Sequence, residues 1–183
     1  MREGSVAKRY AELAARWRVP SGFLLAVVFA IYSQPRRESL AAGALLALAG
    51  LLLRAWATGH LAKNEALATT GPFAYTRNPL YLGTLAIAAG FALAAWNPWL
   101  AWLFLLYFAL LYPPVIGEEE SHLRKLFPGY AGYAARVPRF LPRLSAAESG
   151  AGQFRWSLYR RNREYQALAG YLAATAWLVE KLR

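Results

Sequence analysis

The sequence predicts an all-α fold: a polytopic transmembrane helix bundle of four core spans with a helical C-terminal region at its cytoplasmic face. Composition, four apolar segments and the placement of Lys and Arg carry that prediction. Of 183 residues, 57% are hydrophobic and only 17% charged, with 7 Trp, 11 Tyr and 9 Phe, which is too apolar for an ordinary soluble domain. Apolar runs occupy 19–33, 40–57, 80–96 and 99–116, a little under the ~20 residues of a spanning helix. Flanking aromatic and polar residues must therefore complete each crossing. With the N-terminus cytoplasmic, Lys8, Arg9, Arg16, Arg18, Lys63, Arg77 and the basic stretch after Ile116 all fall inside. The turn at 96–98 falls outside without charge, and only Arg36 and Arg37 oppose the orientation.

Taken in order, 1–18 is basic and carries Tyr10, Leu13 and Trp17 at spacings of three and four. That stripe suits a helix lying in the membrane interface, with a solvated N-terminus as the plain alternative. The first apolar run has no small-residue cleavage site, so no signal peptide is expected. Arg54 sits near the inner end of the second run, from where it can snorkel. Asn78 is a good N-cap for the third helix, and Pro79 fits its first position. The short turn Trp96-Asn97-Pro98-Trp99 makes the third and fourth helices a tight hairpin. Pro113-Pro114 is expected to break or kink the fourth, with a new helix starting near Gly117, in which Glu120 can pair with Arg124. The apolar run 166–179 is either a fifth short span or a helix packed over the site. The Ser/Gly-rich stretch 145–153 reads as a linker. The chain thus divides into an interfacial N-terminus (1–18), a membrane core (19–143) and a C-terminal helical extension (144–183).

The net charge of +11 suits either nucleic acid or anionic lipid. Its position beside long apolar segments favours lipid and argues against nucleic acid, which would need a polar scaffold. The absence of cysteine excludes disulfides, thiolate metal sites and a cysteine nucleophile. His60 and His122 are the two histidines, neither with a partner at ligand spacing, so no metal is expected. No serine-nucleophile motif or phosphate-binding glycine loop is present.

Three stretches could carry chemistry. The first, 71–83, includes Tyr75, Arg77, Asn78, Pro79, Tyr81 and Gly83. Arg77 beside a helix N-terminus makes an anion-friendly spot, Tyr81 offers a hydrogen-bonding ring and Gly83 a gap for a ligand. The second is Glu118-Glu119-Glu120-Ser121-His122, three carboxylates in a chain with ten Glu and no Asp. These suit a helix dipole or a cationic ligand group. The third runs from Phe127 through Tyr130, Tyr133, Arg136 and Arg139 to Arg143, an aromatic and basic segment suited to anionic headgroups.

In order and spacing, these stretches resemble the isoprenylcysteine carboxyl methyltransferase and phospholipid methyltransferase superfamily. The matching pieces are G-P-F-A-Y-T-R-N-P-L-Y-L-G at 71–83, the apolar hairpin, Glu119-Glu120 with Leu123 and Phe127, Tyr130 with Tyr133, and V-P-R-F-L-P at 137–142. The resemblance covers roughly 60–143 and leaves the parts before 40 and after 145 uncovered. It implies S-adenosylmethionine, yielding S-adenosylhomocysteine, held between the start of the third helix and the segment after the fourth. Carried over, Tyr75, Arg77, Asn78, Pro79, Tyr81, Gly83, Glu119, Glu120, His122, Tyr130 and Tyr133 would bind the cofactor, with Glu119 or Glu120 taking its α-amino group. Asn78 departs from the histidine that many members have. Arg136, Arg139 and Glu120 would serve the acceptor and the reaction.

Methyl transfer from a sulfonium needs alignment and desolvation rather than a metal or covalent nucleophile. The implied acceptor is lipophilic: a prenylcysteine-like carboxylate, a phospholipid amine or another small molecule. A carboxylate needs only an orienting arginine, whereas an amine or hydroxyl needs a base such as a glutamate of 118–120 or His122. Two alternatives stand beside this reading. One is a nicotinamide-dependent membrane reductase resembling the steroid 5α-reductase C-terminal region, with Arg155, Arg160, Arg161 and Arg163 facing the dinucleotide phosphate. The other is a non-catalytic lipid-binding protein. The oligomeric state is not legible.

Overall fold

A computed structural model describes residues 3–147 and 152–183, leaving aside the side chains at 3–8, 11, 15 and 18. The centre of the expected linker at 145–153 and the charges of Lys8 and Arg18 lie outside that description. All regular structure among the described residues is helical. The main helices are α1 (Glu3–Tyr32), α2 (Arg37–Thr58), α3 (Pro79–Ala94) and α4 (Pro98–Leu126), followed by α5 (Tyr130–Arg136), α6 (Trp156–Arg161) and α7 (Tyr165–Glu180). Two of them, α2 and α4, are long and apolar enough to cross a membrane. Only 33% and 22% of their most apolar windows are buried, so most of that apolar surface faces outward. Phe23, Leu45, Leu52, Trp102 and Leu110 are among the large side chains left exposed.

Proline does not divide α1, which runs through Pro20 as one element. Nor does Pro113-Pro114 end the fourth helix: α4 continues unbroken to Leu126, and no new helix begins at Gly117. Proline removes a donor to the carbonyl four residues back, which for Pro114 is Leu110. The hydroxyl of Tyr10 on α1 donates to that Leu110 carbonyl at 2.6 Å. A neighbouring helix thus satisfies the group that the proline strands, and the turn survives.

The closest pair is α2 with α3, through Gly43, Ala47 and Gly50 on one and Gly83, Gly90 and Ala94 on the other. A Cβ at Gly90 would sit 2.5 Å from the Gly43 carbonyl, and one at Gly50 would sit 2.5 Å from that of Gly83. Small residues at this spacing let two backbones meet, which is how helices associate when lipid is as apolar as leucine. The hairpin between α3 and α4 forms as expected. Asn97 Oδ1 accepts from the Trp99 N–H at 3.0 Å, and its Nδ2 donates to the Tyr32 carbonyl at 2.9 Å. This end of the bundle is called distal. The proximal end holds the C-termini of α2 and α4 and the N-terminus of α3.

The C-terminal extension does not simply cap one face. The turn that ends α6 closes the proximal end of α2, with Asn162 Nδ2 donating to the Thr58 and Leu61 carbonyls. From there α7 runs antiparallel along α2 toward the distal end. Its Tyr171 hydroxyl donates to the Ala44 carbonyl at 3.2 Å, and Leu178 is fully buried. Lys181 then donates to the carbonyls of Ala30, Ile31 and Ser33 at 2.8–2.9 Å, a cation on the carbonyl end of α1. The apolar run 166–179 is thus one helix packed along α2.

Candidate active site

The site begins with how the chain enters α3. Gly71 takes φ +60, and a Cβ there would lie 2.7 Å from the His60 ring. Only glycine suits that turn. A short 3-10 turn over Gly71–Ala74 then buries Pro72 and Phe73. The next residues are fastened to the segment after α5. The Arg77 N–H donates to the Pro138 carbonyl at 2.9 Å, that of Arg143 to the Tyr75 carbonyl at 3.0 Å, and Thr76 Oγ1 to the Phe140 carbonyl at 2.9 Å. Two motifs separated by more than fifty residues therefore form one wall.

Asn78 occupies the N-cap position of α3 without acting as a cap. Its Nδ2 instead donates to the Arg139 carbonyl at 2.8 Å and lies 3.4 Å from Glu120 Oε1. Glu120 is the centre of this cluster. Arg77 Nη1 lies 3.5 Å from its Oε1, and Arg139 Nε lies 3.3 Å from its Oε2. The expected pairing of Glu120 with Arg124 does not occur; Arg124 lies over the Tyr130 ring at 5.7 Å instead. A buried carboxylate needs such partners to stay charged. One turn away from Asn78, the Tyr81 hydroxyl donates to Glu119 Oε2 at 2.6 Å. The start of α3 and the triple-glutamate segment of α4 thus meet.

Beside them opens a cavity of about 1200 Å³. Its proximal half is polar, lined by Arg77, Asn78, Tyr81, Glu118, Glu119, His122, Tyr130 and Tyr133. Its other half passes between α1, α3 and α4 and is lined by Phe23, Phe29, Phe91, Phe104, Tyr107 and Phe108. Two buried donors in the polar half, Arg77 Nε and the Tyr130 hydroxyl, have no acceptor in the protein. Burial pushes the Tyr130 phenol above its usual 10.0, the Glu120 charge adds to the rise, and the Arg77 charge opposes it. Tyr130 therefore remains a donor at all ordinary pH values. Orphaned donors beside exposed carboxylates suit a ligand carrying both a carboxylate and a cation. The amino-acid end of S-adenosylmethionine has both, so these residues fit that group.

Not every expected residue reaches the cavity. Arg77, Asn78, Pro79, Tyr81, Glu119, His122, Tyr130 and Tyr133 line it, although the Tyr133 hydroxyl is engaged by the Phe73 carbonyl at 2.9 Å. Tyr75 instead turns its ring toward Trp56, at 6.5 Å between centroids. Gly83 packs on α2, where a Cβ would lie 2.6 Å from Arg54 Cγ, so its lack of a side chain serves helix contact rather than a ligand gap. Glu120 and Arg139 stand behind the wall as one ion cluster. Arg136 ends α5, where its carbonyl accepts from Arg143 Nη1 at 2.8 Å.

The sequence reading missed a second polar centre. Arg54 does not snorkel to an interface. Its Nε and Nη2 donate to Glu164 at 2.6 and 2.9 Å, and its Nη1 donates to Thr84 Oγ1 at 2.6 Å. Arg54, Thr84 and Glu164 all line the same cavity. An arginine inside an apolar helix was the available signal, since such a charge demands a partner; the partner lay 110 residues away.

Residues 39–129 match the model of a family described as phospholipid methyltransferase. The chain is 35% identical to the cobalt-zinc-cadmium resistance protein CzcN of Cupriavidus metallidurans, over 78% of this chain and 68% of that protein. It is 33% identical to the nickel-cobalt-cadmium resistance protein NccN of Alcaligenes xylosoxydans xylosoxydans, over 73% and 66%. It is 28% identical to the protein-S-isoprenylcysteine O-methyltransferase of Schizosaccharomyces pombe, over 75% and 61%. The chain thus spans about two thirds of the length of these relatives, between 61% and 68%. No solved structure matches it. The ordered motifs, the cavity they enclose and these similarities together make the chain a member of the isoprenylcysteine carboxyl methyltransferase and phospholipid methyltransferase superfamily.

Proposed function

We propose that this protein is an integral membrane methyltransferase that uses S-adenosylmethionine to methylate a lipophilic acceptor. The observation that carries the reading is the two-part cavity. A polar half with orphaned donors and the carboxylates of Glu118 and Glu119 opens directly into an aromatic half. A charged cofactor and an apolar acceptor would meet at that boundary.

The cofactor supplies a methyl group already activated on sulfur. Arg77 Nε and the Tyr130 hydroxyl are the donors for its carboxylate, and Glu119 or Glu118 is the acceptor for its ammonium. Glu119 also fixes the Tyr81 ring through their hydrogen bond. Glu120 is a positioning residue: it holds Arg77, Asn78 and Arg139 in one arrangement, and Arg139 closes that cluster from the far side. The aromatic half excludes water, which strengthens each charge interaction at the boundary. An amine or hydroxyl acceptor would give its proton to Glu118 or His122, and a carboxylate acceptor would be oriented by Arg77. Helices α1 to α4 would each cross the bilayer, with α7 as a fifth, shorter crossing beside α2.

Calorimetric titration of the purified protein with S-adenosylhomocysteine and with NADPH tests the assignment. Saturable binding of the first alone is expected, and Glu119→Gln should weaken it about tenfold, the loss of one charge-assisted hydrogen bond. Binding of the nicotinamide alone, or of neither, overturns the reading. Transfer of labelled methyl to a panel of prenyl thioether carboxylates, phosphatidylethanolamine and long-chain alcohols then identifies the acceptor.

A further inference from the structure

The polar centre formed by Arg54 and Glu164 lies outside the cofactor motifs. Glu164 also lies outside the stretch that matches the family model, which ends at residue 129. Glu164 is 4% exposed and holds Arg54 through two bonds. The third guanidinium nitrogen reaches α3 at Thr84 Oγ1 and, at 3.4 Å, the Leu80 carbonyl. Three helices therefore meet at one ion pair. Fastening α7 does not require it, since Tyr171, Leu178 and Lys181 already dock that helix. Well-packed apolar residues would be no less stable than a buried ion pair. This pair moreover faces the cavity, with the Arg54 side chain 23% exposed.

We propose that the Arg54–Glu164 pair is the recognition point for the acceptor's head, and that it selects an uncharged hydroxyl-like group on an apolar chain. The inference rests on the methyltransferase reading only in taking the aromatic half of the cavity as the acceptor's place. The selectivity follows from charge. The two ions cancel, so neither a carboxylate nor an ammonium finds an unopposed partner there. Arg54 has donated four of its five N–H groups, to Glu164 twice, Thr84 and Leu80. One N–H on Nη2 remains, next to carboxylate oxygens of Glu164 that can accept another bond. A hydroxyl both accepts and donates, so it can bridge the two. The apolar chain would extend past Ile87 toward Phe29, Phe91 and Phe104.

The test needs no cofactor. The full chain in lipid nanodiscs is loaded with 1-dodecanol, laurate or dodecylamine, three identical chains with neutral, anionic and cationic heads, and apparent affinity is read from the shift in unfolding temperature. Wild type should rank dodecanol first. Glu164→Gln leaves Arg54 uncompensated and should turn the preference to laurate by about tenfold, and Arg54→Met should turn it to dodecylamine by a similar factor. Either single variant leaves a buried charge alone and can unfold. The Arg54→Met/Glu164→Met double variant removes both charges, and it should fold and discriminate among the three heads less than wild type. A charged head ranked first by wild type, an unchanged ranking in the variants, or a double variant that fails to fold would each reduce the pair to a structural tie and overturn the proposal. Failure of S-adenosylhomocysteine to bind would overturn the enzyme reading while leaving these rankings measurable.

Discussion

Tyr130 is where burial and function conflict most openly. Its hydroxyl is buried in the protein without an acceptor, an arrangement that costs about 1–3 kcal/mol. Tyr130→Phe removes that cost, so the ligand-free protein should gain about 1 kcal/mol of stability while S-adenosylhomocysteine binds about tenfold more weakly. Denaturation with and without the ligand separates the two effects; weaker folding with unchanged binding would return Tyr130 to the packing core. The pH dependence has a definite sign. Its phenol is raised above 10.0 in the folded state, so the folded protein holds this proton more tightly than the unfolded chain. The associated stability is complete below pH 10 and is lost as pH rises through the folded value. Wild type should therefore lose more stability than Tyr130→Phe between neutral pH and pH 11. At this scale the sequence was informative about identity and weak on role. Arg77, Asn78, Tyr81 and Glu119, singled out from their motifs, all line the cavity, yet Asn78 reads as a helix cap because capping is local. Its true partners, the Arg139 carbonyl and Glu120, are supplied by contacts 61 and 42 residues away.

The elements depend on close backbone approach more than on interlocking large side chains. Gly90 meets α2 where a Cβ would lie 2.5 Å from both the Ala47 nitrogen and the Gly43 carbonyl. Backbone cannot yield as a flexible side chain can, so Gly90→Leu should force α2 and α3 apart. Overpacking of this kind costs about 1–3 kcal/mol or more, and the separation would also move Arg54 away from Thr84. Thermal unfolding in a mild detergent should show the loss, and an unchanged midpoint would mean that the helices do not touch there. The contrast with Gly170 is instructive, since a Cβ there meets nothing within 4 Å and Gly170→Ala should be tolerated. Helix extents were readable from the apolar runs to within a few residues for α2 and α3. The continuity of α1 and α4 was not, because proline's effect on a helix depends on whether a neighbour satisfies the stranded carbonyl. Tyr10 does so for Leu110, and no local pattern announces a bond across 100 residues.

At the scale of the whole molecule, charge gives the bundle a direction. The proximal end carries Lys63, Arg77, Arg124, Lys125, Arg139 and Arg143, while the distal turn at 95–97 carries no charge. Arg36, Arg37, Lys181 and Arg183 run against this asymmetry; Arg36 lies over the Trp96 ring at 5.0 Å, which holds part of that charge on an interfacial aromatic, and Lys181 is taken up by the carbonyls that end α1. Basic residues stay on the cytoplasmic side when short segments insert, so the proximal end and its polar half-cavity should face the cytoplasm. This orientation also places the cavity where a soluble, charged cofactor can reach it. The chain has no cysteine, which makes single-cysteine labelling direct. Gln34 and Lys125 are both exposed and lie at opposite ends. In intact cells or spheroplasts, Gln34→Cys should react with a membrane-impermeant maleimide, whereas Lys125→Cys should react only after permeabilisation. The reverse pattern would put the polar half-cavity outside, away from any cytoplasmic supply of S-adenosylmethionine. Equal labelling of both positions before permeabilisation would mean that the apolar outer surface does not lie across a bilayer.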